Sequence, residues 1–159
     1  MRHVILQEFL SLDGIAAGPG DSVDFIPAAM RNDESFGDRQ LEFLQAIDFI
    51  LLGRRTYEMS AGHWPRVTSG PEKEFADRIN TTPKVVFSRT LESAPWGSWE
   101  DATIVGTNAG REIERLKQQP GGDMVIWGSL SLAQSLMKEG LIDDFQLVIL
   151  PTVLGEGRA

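Results

Sequence analysis

Short apolar runs alternate with amphipathic segments along most of the chain, and the two kinds of segment predict different elements. The apolar runs predict strands at residues 4–10, 49–52, 84–88, 102–106, 123–127 and 145–150. Helical spacing, start signals and stop signals predict helices at residues 38–48, 56–59, from 71 onward, 107–119 and 130–139. Strands that alternate with helices predict an α/β domain whose central sheet is mostly parallel. Pro151 indicates that the last strand lies at an edge of the sheet or is followed by a bend.

Four predicted strands end in glycine or polar residues. These ends are Gly53-Arg54, Ser88-Arg89, Gly106-Thr107 and Gly128-Ser129. Ligands of parallel α/β sheets gather at the carboxyl ends of the strands, so we expect these four ends to form one crevice.

Two of these ends favour an anionic ligand. At Gly128-Ser129 a strand turns into a helix start, and backbone N–H groups at such a start suit a phosphate. Arg54 and Arg55 stand at another predicted helix start, where cations are unfavourable unless an anion is nearby. The guanidinium group also binds phosphate through two parallel hydrogen bonds. The pattern therefore predicts a nucleotide or a phosphorylated cofactor.

Composition narrows the class of protein. The 159 residues fit a single domain, with 42% hydrophobic residues and 24% charged residues. A net charge of −8 argues against nucleic-acid binding. The absence of cysteine excludes disulfides, and two histidines without ligand spacing predict no catalytic metal. No stretch resembles a signal peptide or a membrane span, which predicts a cytoplasmic protein.

An ordered set of short motifs carries a family resemblance. The set comprises residues 11–16 (Ser-Leu-Asp-Gly-Ile-Ala), 53–58 (Gly-Arg-Arg-Thr-Tyr-Glu), 86–89 (Val-Phe-Ser-Arg), 127–129 (Trp-Gly-Ser), 141–144 (Leu-Ile-Asp-Asp) and 151–157 (Pro-Thr-Val-Leu-Gly-Glu-Gly). It resembles the dihydrofolate reductase-like superfamily, and within it the branch related to the reductase domain of the bacterial bifunctional riboflavin-biosynthesis deaminase-reductase. The resemblance covers nearly the whole chain and implies one domain over residues 1–159 with a three-layer α/β/α fold.

The resemblance also implies a cofactor, NADPH, and the residues that bind it. The segment Gly53, Arg54, Arg55 and Thr56 is expected at the cofactor phosphates. Ser88 and Arg89 are expected on the side of the 2′-phosphate. The turn and helix start formed by Gly128, Ser129, Leu130 and Ser131 are expected at the pyrophosphate.

Three departures from the superfamily pattern remain. Gly128-Ser129 stands where dihydrofolate reductases usually have two glycines. Asp24 is the nearest candidate for their early catalytic carboxylate, and Asp13, Asp24 and a bound water are alternative proton donors. The chain ends at Ala159, where relatives continue into further β structure. The expected open sheet edge near that end makes a homodimer a reasonable hypothesis.

The sequence thus favours an NADPH-dependent reductase that transfers hydride to a small heterocycle or to a sugar imine. Its expected substrate is a pterin, a pyrimidine or a flavin-like molecule. The alternative is a non-catalytic module that binds NADPH or another nucleotide. A nucleotide hydrolase is disfavoured because the acidic residues lack metal-ligand spacing.

Overall fold

The computed structural model describes residues 1–159 and contains six strands and six α-helices. The strands are β1 (Val4–Ser11), β2 (Ile47–Gly53), β3 (Lys84–Phe87), β4 (Thr103–Val105), β5 (Asp123–Trp127) and β6 (Asp144–Leu150). The helices are α1 (Phe25–Met30), α2 (Phe36–Gln45), α3 (Arg54–His63), α4 (Lys73–Thr81), α5 (Ala109–Lys117) and α6 (Leu130–Lys138). Single turns of 3-10 helix occur at Pro19–Asp21 and Trp64–Arg66.

All six strands form one parallel sheet in the order β4-β3-β2-β5-β1-β6. The prediction of a mostly parallel sheet is confirmed. Because the strands run in one direction, every strand delivers its carboxyl end to the same edge of the sheet. Strands β2 and β5 are direct neighbours, so the segments that follow them begin side by side.

Helices cover the two faces of the sheet and create two apolar cores. On one face α5 and α6 bury Ile113, Leu116 and Leu136 against residues such as Leu6 and Ile126. On the other face α2, α3 and α4 contribute to a second core, which includes Leu44, Ile50, Leu52, Tyr57, Ile79 and Trp96. Along β3 and β5 successive residues enter alternate cores, which is the pleated-strand pattern. The architecture is a three-layer α/β/α sandwich, as predicted.

Several element boundaries differ from the sequence-based prediction. Helix α1 was not predicted, and α3 begins at Arg54 and runs to His63 through residues predicted to be a loop. Tyr57 and Ser60 are buried on α3, so packing against the sheet outweighs the weak helix propensity of this Ser- and Gly-containing segment. At residues 47 and 48 strand pairing likewise replaces the predicted end of a helix.

Strand β6 is an edge strand, as Pro151 predicted. Its side chains Phe145, Leu147 and Ile149 lie on the face covered elsewhere by α6, and each is more than half exposed. This open apolar edge fits the homodimer hypothesis, which stays a prediction. None of the helices combines the length and the apolar character that crossing a bilayer requires.

The packing of α6 predicts that substitutions at two adjacent residues have very different effects on the free energy of unfolding. Leu136 is fully buried, whereas Met137 is 42% exposed. Leu136→Ala removes buried methyl groups and leaves a cavity, so it should lower the free energy of unfolding by about 2–5 kcal/mol. Met137→Ala should change it by less than about 1 kcal/mol. Urea unfolding followed by circular dichroism measures both variants, and equal losses would contradict the assigned packing.

Candidate functional site

A hydrogen-bonded clasp joins the segments that follow β2 and β5. The Gly53 amide donates to Ser129 Oγ (2.6 Å), and the Ser129 amide donates to Thr56 Oγ1 (3.1 Å). Ser129 Oγ also donates to Thr56 Oγ1 (2.9 Å). The structure therefore brings together two of the segments that the sequence predicted to share a ligand. We call Gly53, Thr56, Gly128 and Ser129 the clasp.

The two glycines of the clasp are required by close approach. A Cβ on Gly53 would lie 3.0 Å from Ser129 Oγ and 3.1 Å from Ser129 Cβ. A Cβ on Gly128 would lie 3.0 Å from Thr56 Oγ1, and Gly128 has a φ of +53°. Larger residues would push the two turns apart.

Two helix N-termini open at the clasp, and no side chain caps either one. Helix α3 has Gly53 at its N-cap, and α6 has Ser129 at its N-cap with φ 54° and ψ 55°. The Ser129 hydroxyl is engaged with Thr56 rather than with its own helix, so the first-turn amides of α6 have no side-chain acceptor. Unpaired amides and two positive helix ends make a cradle for an anion.

Basic residues border this cradle, and they are already paired. Arg54 donates to Glu58 (2.8 Å) and to Thr90 Oγ1 (2.7 Å), which ties the start of α3 to the loop after β3. Arg55 bonds Asp21, and Asp21 also accepts from Arg158 (3.0 Å). The Arg158 hydrogen bond is the largest cause that holds the pKa of Asp21 below its usual range, and Arg55 adds to it.

The Ser88-Arg89 pair lies in the loop that Arg54 reaches. Arg89 is exposed, and Ser88 Oγ accepts from the amides of Thr90 (3.3 Å) and Leu91 (3.2 Å). Ser88 thus shapes the turn, while Arg89 stays available to a ligand. A Cβ on Gly106 would lie 3.4 Å from the Ser88 carbonyl oxygen, so the end of β4 borders the same loop.

Asp13 and Asp24 differ from each other in their contacts. Asp13 accepts from the Ser11 hydroxyl (2.6 Å) and from the amides of Leu154 (3.1 Å) and Gly155 (2.7 Å). These hydrogen bonds, that of Ser11 first, lower the pKa of Asp13 to about 2. Asp13 therefore anchors the segment after β6 as a carboxylate. Asp24 is exposed and accepts from the Ser22 hydroxyl (3.0 Å). Proton donation by either residue stays a prediction.

The sequence analysis missed a buried carboxyl group, that of Glu8. Glu8 lies in β1, is 8% exposed, and its Oε2 has no hydrogen-bond partner. Burial raises its pKa to about 7, against a weak opposing contribution from the Phe9 amide. The signal was a charged residue, next to Gln7, in the middle of a predicted strand whose other residues are apolar.

A row of hydrogen bonds joins Trp127, Gln7 and Gln146 across the face of the sheet opposite Glu8. The Trp127 indole N–H donates to Gln7 Oε1 (2.7 Å), and the Gln7 amide donates to Gln146. Gln7 is fully buried, and the Trp127 ring also lies near Phe75, with ring centroids 6.3 Å apart. These contacts fix the orientation of Trp127, which immediately precedes the clasp.

Residues 2–159 match the family described as the RibD C-terminal domain. The chain belongs to this family. Two curated Bacillus subtilis proteins are similar in sequence. Uncharacterized protein YyaP is 34% identical, with 99% of this chain and 79% of YyaP covered. Uncharacterized protein YwjB is 31% identical, with 98% and 80% covered.

Solved structures share the fold at lower identity. A putative riboflavin biosynthesis protein from Shewanella sp. PV-4 has a TM-score of 0.73 at 24% identity, covering 98% of this chain and 81% of that one. The diaminohydroxyphosphoribosylaminopyrimidine deaminase/5-amino-6-(5-phosphoribosylamino)uracil reductase of Thermotoga maritima has a TM-score of 0.64 at 14% identity, with 99% and 47% covered. The dihydrofolate reductase of Enterococcus faecalis, solved with NADP(H), has a TM-score of 0.59 at 16% identity, with 98% and 74% covered.

These comparisons confirm the dihydrofolate reductase-like fold and the RibD-related branch of that superfamily. Family membership and the reductases among the neighbours indicate an oxidoreductase of the riboflavin-pathway or dihydrofolate reductase kind. The clasp, its uncapped amides and the bordering arginines have the donors and the positive charge that suit a phosphate-bearing ligand.

Glu8 predicts an unusual dependence of stability on pH. Its folded-state pKa of about 7 lies above its unfolded value of 4.5, so between these values the folded chain retains a proton that the unfolded chain has lost. The contribution of Glu8 to the free energy of unfolding is therefore greatest below about pH 4.5. It falls by about 3 kcal/mol in total as the pH rises to about 7. Urea unfolding across this pH range should show the fall in the wild type.

Glu8→Gln removes this ionisation without changing the shape of the side chain. The variant should lose the fall in stability over that range, while Glu114→Gln, at an exposed site on α5, should retain it. Identical pH profiles for the wild type and Glu8→Gln would contradict the burial of an ionisable carboxyl group.

Proposed function

We propose that this chain is an NADPH-dependent reductase that delivers hydride to a C=N or C=O carbon of a small heterocycle or of an attached sugar. The observation that carries the proposal is the clasp, which holds two uncapped helix N-termini side by side at the carboxyl edge of the sheet. One anionic group can accept hydrogen bonds from both helix starts, and a diphosphate has the charge and the acceptors to do so.

Different groups around the clasp would bind the diphosphate and the 2′-phosphate of the cofactor. The diphosphate would accept hydrogen bonds from the first-turn amides of α3 and α6, while the amides of Gly53 and Ser129 stay engaged in the clasp. Arg54 reaches the loop after β3, which contains Arg89, and these two arginines would favour the extra 2′-phosphate that distinguishes NADPH from NADH. The bound nicotinamide would supply the hydride, and the protein would supply position and electrostatics.

The substrate class follows from the family rather than from this site alone. A pterin, a pyrimidine or a flavin-like molecule fits the reductases among the structural neighbours, one named for a phosphoribosylamino-uracil and one for dihydrofolate.

Titration with NADPH and NADH, followed by tryptophan fluorescence, tests the cofactor first. Trp127 directly precedes Gly128, so a ligand at the clasp should change its emission. Preferential binding of NADPH supports the 2′-phosphate assignment, and binding of neither nucleotide overturns the proposal.

NADPH oxidation is then followed with dihydrofolate and with 5-amino-6-(5-phosphoribosylamino)uracil. Oxidation supports a reductase, whereas binding without oxidation across a wider panel of pterins, pyrimidines and flavins favours a non-catalytic module.

Arg54→Ala should weaken NADPH binding about ten- to a hundredfold, because a charge-assisted hydrogen bond is worth about 1.5–3 kcal/mol. The affinity for NADH, which lacks the 2′-phosphate, should fall less. Arg111→Ala, on an exposed residue of α5, is the matched control and should bind NADPH as the wild type does. Unchanged NADPH affinity in Arg54→Ala would show that the arginine does not contact the phosphates.

A further inference from the structure

The buried carboxyl group of Glu8 has no structural partner that accounts for it. Its Oε2 makes no hydrogen bond, and its Oε1 has only a long contact of 3.4 Å with the Phe9 amide. A buried polar group without partners costs stability, and an apolar residue at this position of β1 would avoid that cost. A group that is costly to the fold and also titratable is a candidate for function.

The register of the sheet places Glu8 beside the clasp. Gln7 is the last residue of β1 that pairs with β5, and its partner is Trp127. Glu8 is therefore level with the point where the chain leaves β5 at Gly128. On its other side Glu8 pairs with Leu147 of β6. The carboxyl group thus lies between the candidate cofactor turn and the open apolar edge of the sheet.

The surroundings of Glu8 on this face are apolar. Its strand neighbours on the same face are Leu6 and Leu10, and β6 contributes Phe145, Leu147 and Ile149. The cause of its raised pKa is burial, and no charged side chain contributes.

Charged residues of the packed elements lie elsewhere on this face. Lys117 of α5 pairs with Asp143 (2.6 Å), and Asp143 accepts from the Val4 amide at the start of β1. Lys138 stands at the far end of α6. Of the remaining charged residues of these elements, Glu112 pairs with Arg115 and Asp144 pairs with His3. Arg111 and Glu114 are exposed, and Asp123 lies at the amino edge of the sheet.

We propose that Glu8 is the proton-holding acid of the reductase site, placed next to the nicotinamide end of the bound cofactor. This inference rests on the function proposed above and assigns the proton donor that the sequence left open. A neutral carboxylic acid can give up a proton near neutral pH, whereas Asp13 is held as a carboxylate by three hydrogen bonds.

The chemistry balances with Glu8 in this role. Reduction of a C=N bond breaks its π bond, forms a C–H bond with the hydride and leaves an electron pair on nitrogen. That pair takes the proton from the Glu8 carboxyl group and forms an N–H bond. NADPH has then become NADP⁺, Glu8 is a carboxylate, and a proton from water restores it.

The proposal predicts that Glu8 senses the charge of the nicotinamide ring. The oxidised ring is positive and favours the Glu8 carboxylate, so NADP⁺ should lower the pKa of Glu8. The reduced ring is neutral and excludes water, so NADPH should leave that pKa unchanged or raise it. Binding of NADP⁺ must therefore release a proton near neutral pH, whereas binding of NADPH must not.

The test measures the dissociation constants of NADP⁺ and NADPH for the intact protein from about pH 6 to about pH 8. The ratio of the two constants is used because the 2′-phosphate titrates in both nucleotides and cancels. In the wild type the Kd of NADP⁺ relative to that of NADPH should fall about fivefold between about pH 6 and about pH 8, which is the part of a one-unit pKa shift that falls within this range. Glu8→Gln should abolish this change, and Glu114→Gln should preserve it.

A second readout observes the ionisation of Glu8 directly in the wild-type protein. With ¹³C-labelled glutamate carboxyl groups, NMR should show one resonance that titrates near neutral pH, and NADP⁺ should move its midpoint downward. Loss of that resonance in Glu8→Gln assigns it. Nucleotide binding without any effect on this midpoint, or the same ratio in Glu8→Gln as in the wild type, overturns the role of Glu8. Binding of neither nucleotide overturns the proposed function instead, and the two failures are thus distinct.

Discussion

The arrangement of the site depends on one interaction, the hydrogen bonding of Ser129 with Gly53 and Thr56. It joins two strand-to-helix turns that are neighbours in space but 73 or more residues apart in sequence. Ser129 adopts the left-handed conformation, which costs a non-glycine residue about 1–2 kcal/mol. Three hydrogen bonds offset this strain. Ser129 stands where members of the superfamily usually have a second glycine, and here it links the two turns. The first-turn amides of α6 remain free because the Ser129 hydroxyl is hydrogen-bonded to Thr56.

The order of strands and helices could be predicted from the sequence because each strand is a short apolar run that ends in a polar or glycine-containing turn. A parallel sheet then determines that those turns meet at one edge. The contacts within that edge could not be predicted. The bridge from Arg55 through Asp21 to Arg158 spans more than 100 residues, and Asp13 binds amides of Leu154 and Gly155 at the far end of the chain. Local patterns cannot show which distant partner will satisfy a polar side chain, so the sequence alone leaves Asp13 among the candidate proton donors.

In the case of Glu8 a local sequence pattern does carry information, because a charged residue interrupts a buried strand. A strand that is buried on both faces should be apolar throughout, and β1 departs from this at Gln7 and Glu8. Gln7 is satisfied by Trp127 and Gln146, so it has a structural explanation. Glu8 has none. The sequence alone could not separate these two residues, because the difference between them lies in partners from β5 and β6.

The proposed cofactor raises a further question, namely how a protein with a net charge of −8 would bind a ligand as anionic as a dinucleotide phosphate. The answer lies in the exposed ion pairs around the clasp. Arg54 with Glu58 and Arg55 with Asp21 are pairs at the surface, where such pairs contribute only about 0–1 kcal/mol. A phosphate can therefore replace a carboxylate partner at little cost and gains the helix amides in addition. The existing pairs hold the guanidinium groups beside the cradle before any ligand arrives, which reduces the entropy lost on binding. Local geometry rather than the net field thus determines which anion the site accepts.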